Sequence, residues 1–79
     1  MTKHFNPTTF DKYDEVELHD GGGFVLGISI CDVGTETGHR YRVAGAGRNL
    51  LETDVLKHAC DAANNSVDGF FRAGFEVVK

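Results

Sequence analysis

Four histidines and two cysteines are the residues of this chain best suited to hold a metal or to carry nucleophilic chemistry. Their spacing argues against both. His4, His19, His39 and His58 are far apart, with no pair three or four residues from each other, whereas zinc sites are built from close ligand pairs. His58 and Cys60 fall two apart in a helical pattern, which turns their side chains about 200° from each other. A catalytic thiol needs a base beside it and a third group to orient that base. Cys60 sits at the edge of an apolar helical arc, where a cysteine is buried and inert. Cys31 falls on the outer face of a strand, with no base at a fixed spacing. Gly45-Ala46-Gly47-Arg48 stands before that helix, as phosphate-cradling loops do, but lacks a third glycine and a terminal Gly-Lys-Ser/Thr. A tight turn explains both glycines. No catalytic, cofactor-binding or metal-ligating residue is expected, and the reading is non-enzymatic.

The elements that position these residues come from hydropathy patterning. The chain has 79 residues, room for one small domain, and a net charge of −4. That balance disfavours general binding to nucleic acid or to an anionic membrane, which needs a cationic excess. There is no apolar run of membrane-spanning length, and the opening MTKHFNPTTF has no signal-peptide h-region. A cytoplasmic location with two reduced thiols is the expectation.

Residues 1–12 read as a loosely ordered arm with Phe5 and Phe10 as anchors, ahead of a single domain over residues 13–79. From Tyr13 to His19 the pattern alternates, with Val16 and Leu18 facing one way and Tyr13, Glu15, Glu17 and His19 the other. Asp20-Gly21-Gly22-Gly23 turns the chain. A central strand follows over Phe24–Cys31, with Phe24, Leu26, Ile28 and Ile30 inward and Val25, Gly27, Ser29 and Cys31 outward. Gly34–Gly38 makes the next turn, and His39–Gly45 reads as a third strand with Arg40 and Arg42 outward. Asn49–Asn65 reads as the helix, opened by an Asn49/Glu52 capping box, with Leu51, Val55, Ala59, Ala62 and Ala63 on its buried arc and Asn64 on its polar one. Val55 is then a core residue, and an aspartate there would collapse the domain. Phe70–Val78 alternates as a last strand with Phe70 outward. The fold class is α+β, in the order β-β-β-α-β: an antiparallel meander with one helix on its apolar face. The fourth, C-terminal strand is expected parallel to strand one or strand three, through a right-handed crossover.

That arrangement leaves one sheet face for recognition. Glu15 and Glu17, with Asp11, Asp14 and Asp20 nearby, form an acidic patch; Arg40 and Arg42 flank it, and Tyr13 and Phe70 are its aromatic anchors. A chain of this size has a marginal core, and a partner surface adds to it.

The run from Tyr41 through Arg42, Val43, Ala44, Gly45, Ala46 and Gly47 to Arg48, followed by Leu56, Ala59, Ala62 and Ala63, is similar to the second half of the double-stranded RNA-binding domain. That resemblance implies nucleic-acid binding through Arg40, Arg42, Arg48 and Arg72. The family's lysine pair at the helix start is replaced here by Leu50, Leu51 and Glu52, which removes its phosphate contacts. In size and layout the whole chain resembles small phage-encoded anti-defence proteins, anti-CRISPR proteins among them, through general character and no shared motif. This implies a stoichiometric inhibitor that binds a host defence or transcription complex and blocks nucleic-acid entry or a subunit contact. A homodimer formed through an exposed sheet edge is a third reading.

Overall fold

The structure, a computed structural model, describes residues 4–36 and 38–78. Met1–Lys3 of the expected arm, Thr37 of the second expected turn, and Lys79 lie outside the described residues. Five strands and one helix follow in the order β1 (Tyr13–His19), β2 (Val25–Asp32), β3 (Tyr41–Gly45), β4 (Arg48–Thr53), α1 (Leu56–Arg72) and β5 (Glu76–Val77). The strands form one antiparallel sheet in the order β4-β3-β2-β1-β5, with the helix packed on one face.

The first three strands follow their two-residue period. Leu18, Leu26, Ile28, Ile30, Tyr41 and Val43 are buried on the helix side of the sheet, and the residues between them face the other way. Two features of the expected layout are corrected. Residues 48–53 form β4 rather than the start of the helix, so Asn49 and Glu52 are strand residues and make no capping box. β3 and β4 are joined by a two-residue turn in which Ala46 (φ 53) and Gly47 (φ 77) are both left-handed, as a type I′ hairpin requires. A bulge then inserts Leu50 between Asn49, which pairs with Ala44, and Leu51, which pairs with Val43. The second correction lies at the C-terminus. Phe70–Arg72 continue the helix, and only Glu76–Val77 form a strand, antiparallel to β1 at Leu18 and His19.

The helix stops by a Schellman motif. The N–H of Phe75 donates to the Phe70 carbonyl (2.9 Å) and that of Gly74 to the Phe71 carbonyl (3.0 Å). Gly74 takes φ 101, a conformation that a Cβ would disfavour. The Phe70 and Phe75 rings meet edge to face at 5.1 Å, which supplies the hydrophobic contact that accompanies this motif.

The helix lies against the sheet through Ala59, Cys60, Ala63 and Val67. Asn64, expected on the polar arc, is buried and holds the N-terminal segment. Its Oδ1 accepts from the His4 and Phe5 N–H groups, both at 2.9 Å, and its Nδ2 donates to the Phe5 carbonyl at 3.0 Å. Phe5 is thereby seated in the core at 2 % exposure, and Phe10 packs edge to face on Tyr41. Val55 is not a core residue. It is the N-cap of the helix, 45 % exposed and in an extended conformation, with no side-chain cap.

Val55→Asp should stabilise the domain by about 0.5–1 kcal/mol, because the carboxylate caps free helical N–H groups and strands no charge. Asn64→Ala should cost about 2–4 kcal/mol, because it leaves buried groups of the His4–Phe5 segment unpaired. Urea denaturation of the two variants measures both.

Candidate functional site

The sheet face opposite the helix carries Tyr13, Glu15, Glu17 and His19 from β1, Val25, Gly27, Ser29 and Cys31 from β2, and Arg42 and Ala44 from β3. Asn49 and Glu52 of β4 and Glu76 of β5 complete it. Among the described residues no second layer covers this face. Tyr13 is 57 % exposed, and Glu15 and Glu17 are exposed as well.

The floor between the charged strands is low. Glu15 stands opposite Ser29 and Glu17 opposite Gly27, and the Glu15 carboxylate leans over Gly27 where any Cβ would collide with it. Neither carboxylate has a cation across the strand. Arg42, the one guanidinium on the face, is directed to the far side, with its Nε 3.8 Å from Glu52 Oε2. At the other edge His19 Nε2 lies 3.9 Å from Glu76 Oε1. The strands thus present four carboxylates, Glu15, Glu17, Glu52 and Glu76, against one arginine. The Tyr13 phenol is held above its ordinary value, first by desolvation and then by the neighbouring Glu15 carboxylate.

Several residues grouped with this patch by sequence lie elsewhere. Asp14 alternates to the helix side of β1, half-buried, where its Oδ1 accepts from the Glu15 N–H (2.9 Å). Asp20 belongs to the β1–β2 turn: its Oδ1 accepts from the N–H groups of Gly22 (2.7 Å) and Phe24 (3.1 Å), which hold its carboxyl below the usual range. Arg40 precedes β3 and pairs with Asp32 at 3.1 Å, while its N–H donates to Asp54. Phe70 sits on the helix, across the sheet from the patch. Asp11 is exposed just before β1.

Glu52 falls within a helical sequence pattern, yet it stands opposite Arg42, the charge pairing that a β3–β4 hairpin favours. The four arginines of the nucleic-acid reading do not share a surface. Arg42 is on the open face, Arg40 is tied to Asp32, Arg48 is at the β3–β4 turn on the helix side, and Arg72 ends the helix. The intervening β4 also separates Tyr41–Gly45 from the helix, where the RNA-binding pattern has a direct connection.

Cys60 is buried, and burial pushes its thiol up, away from reactivity; Cys31 is half-buried on the open face. Among the described residues no group of three His, Cys, Asp or Glu side chains is placed to hold a metal ion. No described helix is long and apolar enough to cross a membrane. No family model matches the chain, and neither a curated protein nor a solved structure matches it.

The Tyr13–Glu15 contact can be tested by titration. In a Tyr41→Phe background, Glu15→Gln should lower the Tyr13 phenol toward its ordinary value of 10.0. Removing the neighbouring negative charge makes the phenolate easier to form. Ultraviolet difference titration reads the shift.

Proposed function

We propose that this chain is a non-enzymatic protein-binding module. It docks the open sheet face onto a cationic, nucleic-acid-binding surface of a host complex and inhibits that complex stoichiometrically, by occupancy, in the manner of an anti-defence protein acting in the cytoplasm. The supporting observation is the uncompensated pair Glu15 and Glu17, set opposite Ser29 and Gly27 instead of lysine or arginine. A cation at either cross-strand position would contribute roughly 0.2–1 kcal/mol to the fold. The face forgoes that and keeps its charge available to a partner of opposite sign. Exposed Tyr13, at the end of the same row, is the residue type that anchors interfaces. Dispersal of the arginines gives direct nucleic-acid binding no comparable surface.

The test is retention from host lysate on immobilised wild-type protein and on Glu15→Arg/Glu17→Arg. Wild type should retain a nucleic-acid-binding complex that added duplex DNA or RNA displaces, and the double variant should retain none. Both substitutions are at exposed positions, so the stability of the variant should change by no more than about 0.5 kcal/mol. Equal retention by the variant, or retention indifferent to duplex, overturns the proposal.

A further inference from the structure

On the helix side of the sheet, between the C-terminal half of α1 and the β3–β4 hairpin, lies a groove of about 380 Å³. Its size falls within the range of small-molecule sites. Ile28, Gly45, Ala46, Leu50, Gly69 and Phe70 give it an almost wholly apolar wall, and Arg48 stands in its lining. Among the described residues Arg48 has no carboxylate partner: the ion pairs of this molecule engage His19, His39, Arg40, Arg42 and Lys57.

One backbone feature of this wall does not serve the packing. Gly69 lies within the helix, where glycine is the least favoured residue after proline. A Cβ there would meet only the tip of the Arg72 side chain, at 4.0 Å. No neighbour therefore requires a glycine at that position, which lines the groove. Gly45 differs, since a Cβ on it would collide with Ile28 Cδ1 and press on Leu50 Cδ1. On the rim, Ala46 occupies a left-handed conformation (φ 53) that glycine or asparagine would adopt more readily.

We infer that this groove binds an amphipathic carboxylate of the medium-chain fatty-acid class, with the aliphatic chain along Ile28, Leu50 and Phe70 and the carboxylate on Arg48. The chain would cover Leu50, which is otherwise 44 % exposed. The head group would give the free guanidinium the planar anion it recognises with two parallel hydrogen bonds. The site is across the sheet from Glu15 and Glu17, so it stands or falls separately from the docking face.

Calorimetry and backbone-amide NMR with sodium decanoate, decanol and sodium acetate test the assignment. Decanoate should bind and shift the amides of Ile28, Ala46, Leu50 and Gly69. Decanol should bind roughly tenfold more weakly for want of the charge-assisted pair, and acetate should not bind. Gly69→Leu should abolish decanoate binding while holding the thermal midpoint at or above wild type, because it fills the groove with a good helix former. Gly69→Ala is the smaller variant should leucine perturb the fold, and it should weaken binding at an unchanged or raised midpoint. Arg48→Gln should bring decanoate down to the affinity of decanol. Failure of decanoate to bind, equal affinity for decanoate and decanol in the wild type, shifts confined to other residues, or full binding by a folded Gly69→Leu protein each overturns the inference.

Discussion

One helix must seal one face of a five-stranded sheet, and the rest of the molecule is arranged around how closely it can do so. Ala59, Cys60 and Ala63 present almost no bulk, so the helix axis comes down onto Ile28, Ile30 and Val43, and Val67 fills the space beyond. The helix packs chiefly across β2, β3 and β4. The flank over β1 needs another cover, and the N-terminal segment contributes to it by inserting Phe5, with Phe10 and Val16 packed around the same core. Apolar contact alone would leave that segment's buried backbone groups unpaired. The Asn64 amide resolves this by matching two N–H donors and one carbonyl, so a polar residue in the core completes the burial of an aromatic one.

Single-layer cover has a direct consequence for the opposite face. The open side is built from residues that do not need burial: small ones at the centre, charged ones on the strands beside it, and Tyr13 at the margin. A large apolar row there would call for a second layer or a permanent partner.

The outer alternation of β1 and β2 was legible because a two-residue period over seven or eight residues has no helical equivalent. The helix was displaced by a local ambiguity. The bulge places Leu50 and Leu51 on the same side of β4, which destroys strand alternation and reads as part of a helical arc that runs on to Val55 and Ala59. Asn49 and Glu52 have the spacing of a capping box and add to that helical pattern, although both lie in β4. The helix itself was announced by Leu56, Ala59, Cys60, Ala63, Val67, Phe70 and Phe71, an unbroken apolar stripe, and by Gly74 as its stop. The alternating pattern after Phe70 masks its last turn. Phe70 therefore lies on the helix side of the sheet, opposite the face that carries Tyr13, Glu15 and Glu17. Asp14, Asp20 and Arg40 were grouped with them by sequence proximity, which says nothing about the side of a strand or the demands of a turn.

The charges that proved structural and those that did not are separated by one criterion: whether backbone N–H groups or an opposite charge consume them. Asp20, Asp32 and Asp54 each accept a backbone hydrogen bond, and Asp32 and Asp54 also hold Arg40 and His39, so their carboxyls lie below the ordinary value of 3.8. A carboxyl depressed by folding adds stability that is complete above its unfolded value and is lost as pH falls through the folded one. These three acids therefore hold turns and connections at neutral pH and release them only in acid. Glu15 and Glu17 accept no such backbone bonds, stand opposite uncharged residues, and sit two apart on one exposed face.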